Sequence, residues 1–303
     1  MAKLVDALAL GASGATLESS SLSIRTKCFM FLHTFQPEPI LISFGGLNIH
    51  WYGVFMVLGI SAAIFTAYKL AKYYNVKKDL IIDLSFWLII GGVIGARIYD
   101  DFLNFNYYLN NPLQSLEIWK GGLAIHGGII AGIIILFIFA KHYKIGFWKL
   151  GALIVPGLAL GQAIGRWGNY FNQEIFGRPT NSFWGIPIDI INRPDNYLQS
   201  NFFQPTFLYE SLGCLLIFLF LLVLNLYFIK KRRLNEKFFT WSVSLYMILY
   251  SILRFLLEYI RIDETPYYFG LRFPQIISLL AIIIFTLIII FKSNDRQETI
   301  RTS

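Results

Sequence analysis

Seven stretches of this chain are apolar and close to the roughly 20 residues that a helix needs to cross a bilayer core. They fall at about 51–71, 80–99, 121–140, 149–167, 207–229, 239–260 and 273–291. Nothing else in the sequence constrains the fold as much. Hydrocarbon offers no partner to a backbone N–H or C=O, so runs of this length can only be helices. We expect an all-α, polytopic membrane protein with about seven transmembrane helices. The fourth run contains Pro156 among several glycines, and a broken or bent helix is expected there. Composition agrees: 56% of residues are hydrophobic and 15% charged, too few charges to clothe a soluble domain. Aromatics at 17% suit two membrane interfaces, where Trp and Tyr settle.

A net charge of +8 could suggest a nucleic-acid partner, but its distribution says otherwise. Lys69, Lys72, Lys77 and Lys78 follow the first run, and Lys141, Lys144 and Lys149 follow the third. Lys230, Lys231, Arg232, Arg233 and Lys237 follow the fifth, and Lys292, Arg296 and Arg301 the last. The opposite connections hold only Lys120, then Arg178 and Arg193, then Arg261 and Arg272. By the positive-inside rule the N-terminus faces out and the C-terminus in, and the charge needs no nucleic acid to explain it. The two cysteines, Cys28 and Cys214, make neither a disulfide framework nor a metal site.

Residues 1–29 are Ala/Ser/Leu-rich, with no apolar core for a signal peptide, and are similar to a transfer-RNA gene read through as protein. We expect a non-native or disordered extension there, a single transmembrane catalytic domain over 30–292, and a cytoplasmic tail over 293–303. Residues 100–120 are expected to lie along the interface as a short arm, and about 170–206 to form a small extracytoplasmic cap. No internal repeat of the transporter kind is present.

A charge near the bilayer centre costs roughly 2.5–3.5 kcal/mol on insertion scales, so ionisable groups inside apolar runs point to function. Arg97 lies in GGVIGARIYDD, His126 in GGLAIHGGIIAG, and Glu210 in QPTFLYE. Arg166, Asn169, Asn172 and Glu174 lie in GRWGNYFNQEIFGR. In YSILRFLLEYIR, spacings of four, four and three put Tyr250, Arg254, Glu258 and Arg261 on one helical stripe. Taken alone, that stripe could be an ion pair that locks helices together. Arginines converging from two helices suggest instead an anion, and the bidentate fork of Arg favours phosphate. The glycines around His126 and Arg166 allow close helix packing, and could also leave room for a lipid headgroup. No Walker loop, GxSxG, HExxH or CxxC occurs.

These motifs resemble the bacterial prolipoprotein diacylglyceryl transferases. GRWGNYFNQEIFGR is similar to that family's signature, and the WYG at Trp51–Gly53, the HGG at His126 and the RFxxExxR at Arg254–Arg261 match in order and spacing. The resemblance covers roughly Ile40 to Phe291. It departs before the fifth run, where the family often has His and this chain has Gln204.

The resemblance implies transfer of the diacylglyceryl group of phosphatidylglycerol to the lipobox cysteine thiol of preprolipoproteins, with glycerol phosphate released and neither metal nor cofactor required. It places the reaction at the outer leaflet of a bacterial cytoplasmic membrane, with phosphatidylglycerol, the lipobox signal peptide and the bilayer as partners. His126, Arg166 and Arg254 are the expected catalytic residues. Tyr52, Asn169, Glu174, Gly177, Tyr250 and Glu258 are the expected substrate-binding set, with Gly177 serving a turn. The rival from another class is a transporter with a buried Arg/His/Glu path; a different lipid-phosphate transferase and a purely structural subunit are further alternatives.

Overall fold

Each apolar run is a helix in the computed structural model, which describes residues 31–301. We name the long helices α1 (Trp51–Ala71), α2 (Lys78–Leu103), α3 (Ile125–His142), α4 (Phe147–Phe171), α5 (Thr206–Lys230), α6 (Glu236–Leu257) and α7 (Phe273–Arg301). All seven are long and apolar enough to cross a membrane, α7 over Phe273–Lys292. The expected extension over 1–29 lies outside the described residues, as do the side chains of the expected tail.

The bundle is built around α4. Half of its membrane window is buried inside the protein, against 11% for α3 and α7. It packs on α1, α5 and α6, while α3 lies mainly on α2 and α7 mainly on α6. Of the break or bend expected at Pro156 the break is absent, since α4 runs unbroken through it. A proline removes one backbone bond, and neighbouring helices can support the turn that lacks it.

Small residues decide which helices touch. A Cβ on Gly59 of α1 would lie 2.8 Å from the Gly161 carbonyl oxygen of α4, and one on Gly157 would lie 2.5 Å from that of Ala63. Between α2 and α3 the approach is closer still: a Cβ on Gly127 would collide with the Gly95 carbonyl oxygen. Association of helices in lipid depends on packing of this kind, because lipid tails are as apolar as the side chains they replace. Gly127, beside His126, is therefore a packing glycine. Gly165 faces open space, and space is what a ligand would need.

At the lysine-rich end Leu70, Tyr74, Ile81, Leu150, Leu153 and Phe238 close a core, with the Tyr74 hydroxyl donating to the buried Asn225 at 2.5 Å. The opposite end carries irregular structure. A hairpin of β1 (Ile40–Phe44) and β2 (Leu47–His50) precedes α1. Between α4 and α5, β3 (Ile186–Pro187) pairs with β4 (Phe202–Phe203) over a small core that includes Leu32, Tyr170, Phe176, Ile188 and Phe207. Gln173 ties residues before α1 to this cap, donating to the Pro37 carbonyl at 2.8 Å and to Asp189 at 2.6 Å. A third hairpin, β5 (Tyr267–Tyr268) and β6 (Leu271–Arg272), leads into α7.

Residues 104–120 form a short helix, Phe105–Asn110, and two 3-10 turns, with Leu113, Leu116 and Trp119 each more than 70% exposed. Arg97 holds this arm. It is 7% exposed and donates to the carbonyls of Ser115, Gly121, Gly122 and Gln114. Its charge is thus committed to backbone, and it pairs with Asp101 at 3.5 Å.

Candidate functional site

Three helices bring a ring of charge together at the end opposite the lysines. Glu210 stands in the first turns of α5, an apolar helix that α4 and α6 flank. Its Oε1 lies 2.7 Å from Nη2 of Arg166 on α4, and its Oε2 lies 3.4 Å from Nη1 of Arg254 on α6. The Tyr250 hydroxyl, one turn before Arg254, donates to Oε1 at 3.3 Å. One carboxylate therefore bridges both expected phosphate-binding arginines.

A second carboxylate backs the first. Arg254 donates through Nη2 to Glu258 at 3.2 Å, the expected i,i+4 pair. Although α6 ends at Leu257, the next turn keeps helical bonds from Glu258 to Arg254 and from Arg261 to Leu257, which preserves the stripe. Arg261 and Arg272 reach Glu258 at 3.9 Å and 3.5 Å, and both pair with Asp263. Burial alone would lift the Asp263 carboxyl. The hydrogen bond from Arg261 and the charges of Arg261 and Arg272 outweigh it and hold the group below its ordinary range.

Depth gives the cluster a direction. The side chains of Glu210 and Glu258 are 2% and 1% exposed, whereas those of Arg166 and Arg254 are 20% and 17% exposed. The carboxylates are the buried members of the cluster, and the arginine side chains keep what exposed surface it has. Buried charges persist only when paired, and this arrangement pairs them while leaving donors free to meet an anion.

The remaining expected binders extend the same network. Arg166 donates to the side-chain oxygen Oδ1 of Asn169 at 3.2 Å, and Nδ2 of Asn169 donates to Glu174 at 2.7 Å. Tyr52 packs where Gly168 has no side chain, since a Cβ there would meet its ring at 2.9 Å. An open apolar cleft of about 280 Å³ is lined by Phe55, Leu160, Ala163, Ile164, Trp167, Ser211 and Leu215, of which Trp167 and Ser211 are the chain neighbours of Arg166 and Glu210.

Two expected residues fit less simply. Gly177 serves no turn: it forms an antiparallel bridge with Arg261, and a Cβ on it would meet Ile260, Gln204 and Thr206 at 2.8–3.0 Å. It lets the cap lie against the end of α6, a close approach rather than a reversal of the chain. His126 is exposed at the start of α3, its ring 6.0 Å from that of Tyr99, apart from the Arg166–Glu210–Arg254 ion pairs.

A profile of the prolipoprotein diacylglyceryl transferase family matches residues 39–291, nearly the whole described chain. The chain belongs to the prolipoprotein diacylglyceryl transferase family. It is 40% identical over 254 residues to the phosphatidylglycerol–prolipoprotein diacylglyceryl transferase of Nostoc sp., covering 83% of this chain and 88% of that one. The enzymes of that name from Finegoldia magna and Synechocystis sp. are 41% and 36% identical, over 81% and 85% of this chain and 92% and 90% of theirs.

Membership in this family makes the chain a multi-pass membrane transferase and lends no support to the transporter reading. It also sharpens the question of Gln204, which stands where the family often has His. Its backbone accepts from Gly177 at 2.9 Å and donates to Arg178 at 3.0 Å, bonds that any residue but proline could make. Glu210 and Arg272 were not among the expected site residues. Glu210 carried a readable signal, a carboxylate in the first turns of an otherwise apolar run. Arg272 carried none that separates it from an ordinary flanking charge.

Proposed function

We propose that this protein moves the diacylglyceryl group of phosphatidylglycerol onto the lipobox cysteine of preprolipoproteins, at the outer leaflet of a bacterial cytoplasmic membrane. The observation that carries this reading is the pair Arg166 and Arg254, open in front and buttressed by buried carboxylates behind. A phosphodiester suits such a pair, because the N–H donors that the carboxylates and Asn169 leave over can meet its oxygens. The apolar cleft that Trp167 and Ser211 help to line suits an acyl chain.

The reaction forms one bond from sulfur to the glyceryl carbon and breaks the bond from that carbon to the phosphate oxygen. The cysteine thiol first loses its proton, since the thiolate is the nucleophile. His126 is the proposed base, because imidazole takes a proton near neutrality. Charge then grows on the departing glycerol phosphate, and fixed guanidiniums in a water-poor site stabilise it without reorganising. Tyr52, Asn169, Glu174 and Tyr250 orient headgroup and cysteine around Arg166, Glu258 holds Arg254 in place, and Gly177 keeps the cap close to the site.

The test uses the purified full chain, phosphatidylglycerol vesicles and a lipobox peptide, with mass spectrometry of the peptide. A diacylglyceryl mass on cysteine, lost with Arg254→Ala, is the expected result. No such mass from a folded preparation would overturn the proposal.

A further inference from the structure

Glu210 already pairs with both of the arginines that the proposed function gives to phosphate. Both of its oxygens are engaged: Oε1 by Arg166 at 2.7 Å and Tyr250 at 3.3 Å, and Oε2 by Arg254 at 3.4 Å. It is 2% exposed and cannot turn away into solvent. Behind it, Arg254 is shared with Glu258, which Arg261 and Arg272 also hold. The neutralising charge on the two open arginines is therefore built in before any substrate arrives.

That is an odd design for tight anion binding. Two guanidiniums aimed at a phosphate would bind it best with no carboxylate between them, and like charges a few ångströms apart in a low-dielectric wall repel strongly. The reaction changes the charge of the phosphate it handles. A phosphodiester carries one negative charge, and the glycerol phosphate that leaves is a monoester whose second charge appears near neutral pH. The extra charge arises beside Glu210.

We propose that Glu210 is a resident competitor for the arginine pair, which tolerates the singly charged diester and ejects the doubly charged product. It acts through Arg166 and Arg254 and touches no reacting atom, so it is a positioning residue that governs release. The idea rests on the transferase reading of this site and extends it to the step after chemistry. Uniform tightness toward substrate and product would slow turnover, and a counter-charge that discriminates between them avoids this.

Inhibition by glycerol phosphate and turnover of phosphatidylglycerol are measured for the wild type, Glu210→Gln and Glu210→Asp. In Glu210→Gln the inhibition constant for glycerol phosphate falls by at least about tenfold, the KM for the lipid shifts less, and kcat drops as release slows. Glu210→Asp, which keeps the charge, stays near wild type in its inhibition constant. Product that binds Glu210→Gln no more tightly than wild type overturns the proposal.

The wild type supplies a second measurement that needs no variant to fold. By calorimetry, glycerophosphoglycerol, a soluble singly charged diester, binds at least as tightly as doubly charged glycerol phosphate. The reverse order also overturns the proposal. Failure of the transferase reading looks different: the wild type would then put no diacylglyceryl mass on the peptide at all.

Discussion

The two arginines share Glu210 but differ in their second partner, Asn169 for Arg166 and Glu258 for Arg254. Arg166 also donates to Asn169, so its guanidinium is fixed on two sides and presents one edge forward. Lysine has one nitrogen and no fork, and could keep the ion pair with Glu210 or the bond to Asn169, hardly both. Arg166→Lys is therefore expected to lower kcat/KM by about a hundredfold, in the range found when a charge-stabilising donor is lost, while the protein still folds. Steady-state kinetics of peptide lipidation checks this, and activity near wild type would remove the bidentate role. Arg166, Asn169, Glu174, Tyr250, Arg254 and Glu258 were all legible in the sequence, because charge and amide inside apolar runs are costly enough to be conspicuous. The partner of the two arginines was not foreseen, since a spacing rule reads one helix at a time and the Glu210 bridge joins three. The contribution of Gly177 was misjudged for a related reason: glycine signals a turn or a close approach equally well, and only the position of Ile260 decides.

Elements meet here through backbone approach and through loops tied by arginine. Gly127 against Gly95 is the tightest example, with no room for a methyl group between α3 and α2. Gly127→Val is expected to separate these helices and destabilise the protein by about 1–3 kcal/mol, the usual cost of overpacking. Thermal unfolding in detergent reads it, and an unchanged midpoint would contradict the contact. At the other side of the bundle, Asp263 holds the segment before the third hairpin through Arg261 and Arg272. Its carboxyl sits below the ordinary range when folded, so the stabilisation is complete above the unfolded value of about 4 and fades as pH falls through the lower folded one. Wild type should thus melt higher than Asp263→Asn at pH 7, and the gap should close in acid. A gap that persists unchanged at low pH would assign the difference to packing alone. Helix positions were readable because length and apolarity define a span. The unbroken course of α4 through Pro156 was not, because the neighbours that support that turn lie far away in sequence.

At the scale of the molecule, the two ends differ in kind. One gathers Lys69, Lys72, Lys77, Lys141, Lys144, Lys230 and Lys231 on helix ends and the short connections between them. The other carries three hairpins, the arm clamped by Arg97, and the Arg166–Glu210–Arg254 cluster. Positive loops are retained on the cytoplasmic side during insertion, so the hairpin end, and the site with it, is expected to face out. That is also the side on which a secreted preprolipoprotein would present its cysteine, and charge asymmetry and proposed chemistry thus call for the same orientation on independent grounds. Single cysteines test it in a Cys28→Ser background, with Cys214 buried in α5 and out of reach of a water-soluble reagent. A membrane-impermeant maleimide applied to intact spheroplasts should label Asn196→Cys, in the cap, and label Lys231→Cys only after lysis. The opposite pattern would place the arginine pair in the cytoplasm. Chemistry on a translocated substrate would then be untenable however well the geometry suits a phosphodiester.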